Sequence, residues 1–285
     1  MSLTDVELKE LETRAEAIRE TIVSMLVAAG SGHTAGPLGM ADIFTAFYFH
    51  ILQQDPLHPD WEERDRLILS NGHIVPVRYA AMAHAGYFPV KECLTLRKLG
   101  SRLQGHPERT KLPGLETTSG PLGEGLSQAA GIAYALRMDN KKNHVYVVMG
   151  DGEQDEGSVW EAAMFVGKHA LSNITAVIDR NNIQIDGMTE DVMPLESLRA
   201  RYEAFNWHVL EVNGNDIRAF ITTVDEAKSI YEKPTLIIAH TVPGKGIPDI
   251  ESDYHWHGKP PSKEEGRRFI KELRSLKGKV PHEYA

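Results

Sequence analysis

The sequence predicts an α/β domain of three layers, with a mainly parallel sheet between helices. Three observations indicate this fold class: five short apolar runs, helix-length segments between them, and glycine-containing loops that directly follow the runs. Apolar runs without polar alternation are typical of parallel strands that helices cover on both faces. The chain has 285 residues, of which 41% are hydrophobic and 25% charged. That composition is typical of a folded globular domain and not of a disordered segment.

The first element is a predicted helix that ends at Gly30. Thr4 and Glu7 have the spacing of a capping box, and apolar residues then recur every three or four positions. The predicted strands lie at residues 67–69, 145–149, 174–178, 209–212 and 236–239, with helices at 159–169 and 217–231. Glycine and proline cluster in predicted loops at 30–39, 105–125, 150–157 and 243–261. We therefore expect one domain over residues 1–258 and a C-terminal tail over 259–285.

Charge distinguishes this tail from the rest of the chain. The whole sequence has a formal net charge of −9, yet segment 259–285 contains eight Lys or Arg residues against four Glu. We predict that the basic tail forms a solvated terminal helix, with a docking arm as the alternative. An acidic chain lacks the basic face that displaces counterions from nucleic acids, so nucleic-acid binding is not expected.

Cysteine content and hydropathy indicate the compartment. Cys93 is the single cysteine of the sequence, which excludes a disulfide framework and a Cys-based zinc site and suits a reducing environment. The sequence contains no apolar stretch of 18 residues, and its first thirty residues lack the basic start of a secretory signal. We therefore expect a cytoplasmic protein without membrane association.

Two polar loops follow predicted strands that are one strand–helix–strand unit apart. Gly150-Asp151-Gly152 comes directly after 145–149, and Asn181 comes shortly after 174–178. In open parallel sheets, ligands bind outside the carboxyl ends of the strands. A carboxylate and an amide supply the oxygen ligands that suit Mg²⁺, and the glycines let the backbone approach a diphosphate. These residues favour a Mg²⁺–diphosphate site, while the alternative that Asp151 only caps the following helix remains open.

Other site motifs fail at particular positions. Glu156 stands where a calcium-binding EF-hand loop needs glycine, and Asp155 occupies the third glycine position of the dinucleotide-binding fingerprint. Residues 244–246 are Gly-Lys-Gly and do not complete a Walker A phosphate loop. His255 and His257 have the spacing of a metal-binding pair, but no further ligand set accompanies them.

Four histidines lie beside glycine, and the sequences around them are specific. Together with the two polar loops, these blocks resemble the thiamine diphosphate enzymes of the transketolase family. The match runs in order from about residue 20 to about residue 262. Its blocks are Ser31-Gly32-His33, Gly36-Pro37-Leu38-Gly39, Ser70-Asn71-Gly72-His73, Gly105-His106-Pro107, Thr118-Ser119-Gly120-Pro121-Leu122-Gly123, Gly150-Asp151-Gly152, Asn181, Ile183-Gln184-Ile185-Asp186-Gly187, Val242-Pro243-Gly244-Lys245-Gly246 and His257-Gly258.

The resemblance covers only the N-terminal, diphosphate-binding part of family chains, which are usually more than twice this length. It implies a thiamine diphosphate-binding fold and the N-terminal subunit of a split transketolase, which needs a separate C-terminal transketolase subunit. The implied cofactors are thiamine diphosphate and Mg²⁺. The implied reaction transfers a two-carbon ketol unit from a ketose phosphate to an aldose phosphate in a dimer of heterodimers.

Two alternatives to this function remain. One is a subunit of another two-chain thiamine diphosphate enzyme, either similar to deoxyxylulose phosphate synthase or decarboxylating 2-oxo acids. The other is a non-catalytic subunit that keeps the diphosphate-binding fold. The set of histidines favours ketol transfer among the enzymes.

The resemblance also implies roles for individual residues, by position in the family motifs. The implied metal ligands are Asp151, Asn181 and the backbone carbonyl of Ile183. Further implied cofactor contacts are Gly150, Gly152 and His73 at the diphosphate, Gly120 and Leu122 at the aminopyrimidine, and Ile185 at the thiazolium region. The implied catalytic residues are the substrate-facing histidines His33, His106 and His257, and two acids that couple the cofactor sites of a dimer, Glu156 and Glu161.

Two further expectations concern neighbouring side chains. Arg180 precedes the proposed ligand Asn181, and we expect it to pair with Asp179.

Three large apolar residues of the predicted helix at 159–169 are candidates for a partner-binding face, with packing on the domain's own sheet as the alternative. They are Trp160, Met164 and Phe165.

Overall fold

Five parallel strands form the central sheet in the order β1-β2-β3-β7-β6. The computed structural model describes residues 3–275. The sheet strands are β1 Arg66–Leu69, β2 Val145–Gly150, β3 Ile174–Arg180, β6 His208–Asn213 and β7 Thr235–His240. A separate antiparallel hairpin joins β4 Ile183–Gln184 and β5 Gly187–Met188. All five predicted strands are therefore confirmed, as is the α/β fold class with its mainly parallel sheet.

Ten α-helices surround the sheet in the described part of the chain. They are α1 Asp5–Ala29, α2 Ala35–Gly39, α3 Ala41–Ala46, α4 Val75–Ala85, α5 Glu124–Met138, α6 Gly157–Lys168, α7 Thr189–Val192, α8 Leu198–Ala204, α9 Ile217–Ser229 and α10 Lys263–Leu273. Short 3₁₀ turns lie at Gly72–Ile74, Val90–Thr95, Gly152–Asp155 and Tyr254–Trp256, and a π-helical turn lies at Phe47–Ile51. None of the helices within residues 3–275 is long and apolar enough to cross a membrane.

The two faces of the sheet belong to two separate cores. Tyr146 and Val148 of β2 pack with α1, α3, α4 and α9, whereas Val145 and Val147 pack with α5, α6 and α8. Successive side chains of a strand point to opposite faces, so a strand covered on both sides has no polar position. Each fully buried Val or Ile contributes about 1.5–3 kcal/mol to folding. This double coverage explains the continuous apolar runs of the sequence.

Helix α1 has the termini that the sequence predicts. Thr4 and Glu7 form a complete capping box, and Gly30 ends the helix with a left-handed φ of 63°. The Gly30 N–H donates to the carbonyl of Leu26 at 2.9 Å. Ile18 and Ile22 of its apolar stripe are fully buried. The capping groups satisfy backbone atoms that the helix itself leaves unpaired.

The predicted loop at 30–39 is wrong over its second half, because Ala35–Gly39 form the buried helix α2. Pro37 lies in the first turn, where the backbone N–H makes no helical hydrogen bond and proline is tolerated. A Cβ atom on Gly39 would lie 2.8 Å from the carbonyl oxygen of Val242. The glycine therefore allows a close helix–loop contact here and does not mark a loop.

The described part of the predicted tail packs on the domain. Helix α10 lies against α1, and its Phe269 is fully buried. A Cβ atom on Gly266 would lie 2.4 Å from a methyl carbon of Val27, so the two helices are in close contact. The rest of the predicted basic tail, residues 276–285, lies outside the described residues.

Candidate active site

The loops that follow β1, β2 and β3 surround one cavity at the carboxyl edge of the sheet. Gly150, the last residue of β2, is paired with Asp179 of β3, so the loops after these strands are adjacent. The cavity has a volume of about 160 Å³. Its lining residues are Asn71, His73, Leu122, Gly150, Asp151, Gly152, Glu153, Asp179, Asn181, Ile183, Gln184, Ile185, Asp186 and His257. Nine residues of the implied site therefore lie around a single opening.

Asp151 is buried and accepts hydrogen bonds through both carboxylate oxygens. Oδ1 accepts from the N–H of Gly152 at 2.7 Å, which caps the short turn Gly152–Asp155. Oδ2 accepts from the N–H of Asn182 at 2.7 Å and from the hydroxyl of Thr189 at 3.2 Å. Helix α6 has Glu156 and not Asp151 at its N-cap position. Asp151 therefore caps the 3₁₀ turn and not helix α6. Its Oδ1 retains a further lone pair for a ligand.

Asn181 is held in a fixed orientation beside this carboxylate. Its Nδ2 donates to Asp179 at 2.9 Å, and its Oδ1 accepts from the N–H of Ile183 at 3.0 Å. Asp179 also accepts a hydrogen bond from the hydroxyl of Thr241. Burial raises the pKa of Asp179 to about 7, and burial also raises the pKa of Asp151. The oxygens of Asp151 and Asn181 and the carbonyl of Ile183 are ligands that suit Mg²⁺.

The described residues contain no group of three or more His, Cys, Asp or Glu side chains arranged to hold a metal ion. The implied set has one carboxylate, one amide and one backbone carbonyl, so it does not form such a group. Mg²⁺ usually keeps several waters and takes few protein ligands together with phosphate oxygens. The donor chemistry here therefore fits Mg²⁺ held jointly with a diphosphate.

Arg180 does not pair with Asp179, so that expectation is wrong. Its guanidinium contacts Asp151 at 3.3 Å and Glu196 at 3.1 Å, and it also pairs with Glu190. The cause is the alternation of side chains along β3, which directs Asp179 and Arg180 to opposite faces of the strand. A buried guanidinium thus balances the charge of the proposed metal ligand Asp151.

Three imidazole rings form a compact group at the cavity. The ring centroids of His33 and His73 are 4.8 Å apart, those of His73 and His257 5.2 Å, and those of His33 and His257 5.5 Å. His106 lies beside this group, because a Cβ atom on Gly72 would lie 3.3 Å from its ring. The four histidines come from four separate segments, so the fold assembles them.

Burial favours the neutral form of all four imidazoles, because it lowers the pKa of each ring. Burial, followed by the proximity of His257, lowers the pKa of His33 to about 4. Burial lowers the pKa of His73 well below its ordinary value, and it lowers the pKa of His106 and His257 as well. A neutral imidazole has one nitrogen that donates and one that accepts a hydrogen bond. Nδ1 of His33 and Nδ1 of His257 are buried and have no partner among residues 3–275.

The remaining implied cofactor contacts lie at the rim of the cavity. The side chains of Leu122 and Ile185 are 37% and 59% exposed. A Cβ atom on Gly258 would lie 2.9 Å from the Cδ1 of Ile185, which places this side chain next to the His257 loop. Gly120 adjoins His106, whose ring would lie 3.9 Å from a Cβ atom at that glycine. The rim therefore presents apolar surface beside the polar floor.

The two acids Glu156 and Glu161 do not line the cavity. Both side chains are exposed, Glu156 at the N-cap of α6 and Glu161 one turn into that helix. The Cβ of Glu156 lies 2.7 Å from the position of a Cβ atom on Gly123, so it adjoins the loop before α5. Within this chain neither acid reaches the grouped histidines.

Five lining residues were not predicted as site residues, namely Asn71, Glu153, Asp179, Gln184 and Asp186. Asn71 is 1% exposed, and neither its side-chain oxygen nor its nitrogen has a hydrogen-bond partner in the described part of the chain. A polar ligand in the cavity would satisfy this amide, so the site fits a bound polar group. Glu153 is 2% exposed and lies in the turn after Asp151. Asn71 could have been found from the sequence, because it belongs to the motif Ser70-Asn71-Gly72-His73. Glu153 belongs to no motif that would have identified it.

Comparison with known proteins identifies the family. The family model described as the thiamine diphosphate binding domain of transketolase matches residues 11–283. The chain belongs to the transketolase family. The residues around the cavity are therefore those of a thiamine diphosphate-binding domain.

Relatives of similar length carry names of transketolase subunits. The 6-deoxy-6-sulfo-D-fructose transketolase subunit of Clostridium sp. is 39% identical, and the alignment covers 93% of this chain and 96% of that protein. An apulose-4-phosphate transketolase subunit of Phocaeicola vulgatus is 40% identical, with coverage of 94% and 95%. Mouse transketolase is 37% identical over 94% of this chain but only 43% of its own length.

Solved transketolases have the same fold over this region. A mutant transketolase from Pichia stipitis superposes with a TM-score of 0.87 at 36% identity, and the enzyme from Campylobacter jejuni superposes with 0.87 at 33%. The alignments cover 94% and 95% of this chain but 40% and 43% of those structures. The chain thus spans about two fifths of the solved transketolases that it matches.

Proposed function

We propose that this chain is the N-terminal, diphosphate-binding subunit of a split transketolase that requires a separate C-terminal subunit. The observation that carries the proposal is the coverage of relatives that are themselves named subunits. Those relatives match over at least 95% of their own length, whereas whole transketolases match over less than half. The neutral histidines and the oxygen donors at the cavity support ketol transfer by this subunit.

The size of the cavity supports a second chain at the site. Drug-sized ligands and cofactors usually occupy pockets of about 300–1,000 Å³, whereas the volume here is about 160 Å³. Leu122 and Ile185 leave apolar surface at its rim. A partner subunit that packs over this rim would enclose the thiamine rings, while this chain holds the diphosphate end.

This chain's own residues account for binding and positioning. Asp151, Asn181 and the carbonyl of Ile183 would hold Mg²⁺, and Gly152 and His73 would contact the diphosphate. Thiamine diphosphate, when bound, supplies the nucleophilic carbon with which a ketol unit is removed from one sugar and added to another. Once a partner subunit covers the rim, the apolar side chain of Ile185 would help to exclude water from that region.

The histidines are suited to proton transfer on a hydroxylated substrate. Neutral rings at His33, His106 and His257 both donate and accept hydrogen bonds, so they orient the hydroxyls of a sugar. Nδ1 of His257, a residue of the cavity wall, has no partner among the described residues. We assign to this ring the proton that moves on and off a substrate hydroxyl, because a neutral imidazole acts as a general base and its protonated form as a general acid.

Assembly, substrates and compartment complete the proposal. We infer a dimer of heterodimers that acts on a ketose phosphate and an aldose phosphate. The named relatives act on modified ketoses, which supports a ketose as the donor class. The free, buried Cys93 is consistent with the reducing cytoplasm.

Reconstitution tests the proposed function. The full chain is expressed alone and together with a candidate C-terminal subunit, and transfer from xylulose 5-phosphate to ribose 5-phosphate is measured with thiamine diphosphate and Mg²⁺. We expect the chain alone to be nearly inactive and the complex to be active. Strong activity of the chain alone would contradict the need for a partner. Release of CO₂ from a 2-oxo acid by the complex, without ketol transfer, would favour the decarboxylating alternative.

A further inference from the structure

One buried carboxylate joins the three segments that surround the proposed cofactor site. Oε1 of Glu153 accepts hydrogen bonds from the hydroxyl of Ser70 and, at 2.7 Å, from the N–H of Gly123. Oε2 accepts from the N–H of Gly150 at 2.9 Å. Ser70 follows β1, Gly150 ends β2, and Gly123 precedes α5. Segments that are far apart in sequence thus meet at a single side chain.

Ser70 extends this connection by one further hydrogen bond. Its hydroxyl donates to Glu153 and accepts from the N–H of Gly125 at 3.0 Å. The approach is close, because a Cβ atom on Gly125 would lie 2.3 Å from the Cβ of Ser70. The segment 119–125, which ends in the first turn of α5, is therefore attached to the sheet through two backbone N–H groups, at Gly123 and Gly125.

The burial of Glu153 requires these hydrogen bonds. The donors that compensate for its burial are the hydroxyl of Ser70 and the N–H groups of Gly123 and Gly150. An uncompensated buried carboxylate is strongly unfavourable, whereas hydrogen bonds to a charged acceptor are stronger than those between neutral groups. Loss of one donor would therefore weaken the attachment of the carboxylate and change the position of the other two segments.

Each donor lies within three residues of an implied cofactor contact. Ser70 precedes His73, Gly123 follows Leu122, and Gly150 precedes Asp151. The loop that holds Gly120 and Leu122 is implied to touch the aminopyrimidine, and the loop at Asp151 to bind the diphosphate. The position of one loop relative to the other is set at Glu153.

We propose that Glu153 is a positioning residue that fixes the aminopyrimidine loop, residues 119–125, relative to the diphosphate loop, residues 150–152. This inference rests on the proposed function for the identity of the ligand. The carboxylate acts through its hydrogen bonds to Ser70, Gly123 and Gly150 and not as a group that reacts with substrate. It sets the distance between two groups of cofactor contacts before the cofactor binds.

Hydrogen exchange on the full chain tests the connection without any ligand. In Glu153→Ala the amide of Gly123 loses its acceptor, and in Ser70→Ala the amide of Gly125 does. We expect the affected amide to exchange roughly tenfold to a hundredfold faster in each variant, the factor that corresponds to one hydrogen bond to a charged or polarised acceptor. Asp42→Asn is the matched control, because Asp42 is a buried carboxylate that pairs with Arg19 away from these loops. Unchanged exchange at Gly123 and Gly125 in the variants would overturn the proposal.

Cofactor binding in the complex with the C-terminal subunit gives a readout that a general loss of stability would not produce. Ser70→Ala should raise the KM for thiamine diphosphate at least about tenfold, while inhibition by Mg²⁺–pyrophosphate, which reads the diphosphate loop alone, stays unchanged. An equal loss for both probes would overturn the positioning role. If Glu153→Ala does not fold, Ser70→Ala decides, since it leaves the carboxylate in place. A parent complex without affinity for thiamine diphosphate would refute the proposed function, and the exchange result would still decide the connection.

Discussion

Asp151 illustrates why a single side chain in this cavity has more than one role. Its Oδ1 caps a turn, while its Oδ2 accepts from Asn182 and Thr189 and contacts Arg180. The capping and metal-binding roles are compatible, because each carboxylate oxygen has more than one lone pair. The question for experiment is therefore the importance of the negative charge and not the presence of the cap.

Asp151→Asn keeps the cap but removes the negative charge, and its Nδ2 replaces the oxygen that accepts from Asn182 and Thr189. The amide oxygen still accepts a hydrogen bond for the cap, but the charge is lost, so we expect Mg²⁺-dependent affinity for thiamine diphosphate to fall roughly tenfold to a hundredfold. Titration calorimetry on the two-subunit complex measures this change. Asp155→Asn, an exposed carboxylate in the same turn, is the control. Equal affinity in Asp151→Asn and the parent would remove Asp151 from the metal site.

His144 gives a residue-scale prediction about pH that does not depend on the cofactor. It donates to or accepts from the hydroxyl of Thr175 at 2.8 Å, and burial, with a smaller effect of Lys228, lowers its pKa to about 4. The unfolded chain therefore binds a proton at this ring near pH 6.5 while the folded chain does not. Stability is fully present above that pH and is lost as the pH falls towards 4.

The measurement compares the parent with His144→Gln from pH 8 to pH 4.5. We expect the stability of the parent, relative to the variant, to decrease by up to about 1 kcal/mol per pH unit below pH 6.5. Taking the difference removes the contribution of all other groups, including Asp179, whose raised pKa acts in the opposite direction. Parallel profiles for the parent and His144→Gln would contradict the prediction.

At the residue scale, sequence reasoning found the histidines and the oxygen donors but not their neighbours. The motifs around His73 and Asp151 are short and contiguous, so they can be recognised in one dimension. The hydrogen bonds of Glu153 join residues 83 and 30 positions apart, and no local pattern marks such a contact. The pairing of Arg180 was missed because its partners Glu190 and Glu196 lie in a later segment.

At the scale of elements, two glycines in neighbouring helices have opposite roles. A Cβ atom on Gly167 of α6 would lie 1.8 Å from the carbonyl oxygen of Phe205, whereas no described neighbour lies within 4 Å of one on Gly131 of α5. Gly167→Ala should therefore destabilise the chain by at least about 1–3 kcal/mol through overpacking against backbone. Gly131→Ala should stabilise it by about 0.5–1 kcal/mol, because alanine is the better helix former.

Denaturant unfolding of the isolated full chain measures both variants, and each serves as the control for the other. The prediction concerns the sign of the change as much as its size. A stabilising Gly167→Ala, or destabilisation by both variants to the same extent, would show that the contact of α6 with residue 205 is not as close as described.

Strands were predictable and several helices were not, for a physical reason. A parallel strand buried on both faces has an apolar run that stands out locally, as in β2 and β3. Helix α2 has no such pattern, since its five residues are all buried and include two glycines and a proline. It is stabilised by tertiary contacts such as that of Gly39 with Val242, which override local propensity.

At the scale of the whole molecule, α5 and α6 carry three exposed large apolar residues, Met138, Met164 and Phe165. Trp160 packs on Tyr202 and Phe205 and so against this domain's own core. For this residue, packing within the domain, the alternative to a partner-binding role, is therefore confirmed. Met164 and Phe165 are 55% and 40% exposed. Both helices begin next to the cavity, at Glu124 and Gly157, so a chain that closes the cavity would reach these helices as well.

Aromatic contacts strengthen the case for a partner at this surface. The ring centroids of Phe165 and His169 are 4.5 Å apart, Tyr134 lies 5.8 Å from Phe165, and the guanidinium carbon of Arg137 lies 5.4 Å from the ring of Tyr134. Aromatic residues, Met and Arg are enriched in protein–protein interfaces. We therefore expect the separate C-terminal subunit to cover this face.

Phe165→Glu and Met164→Glu test that expectation. A charge at the centre of a desolvated interface should weaken association of the two subunits at least about thirtyfold, while the isolated chain keeps its stability because both side chains are already exposed. Sedimentation of mixtures with the C-terminal subunit measures the dissociation constant, and Val6→Glu, at a 72% exposed position of α1, is the matched control. Unchanged association in both variants would place the partner elsewhere. Loss of self-association alone would assign the face to a second copy of this chain.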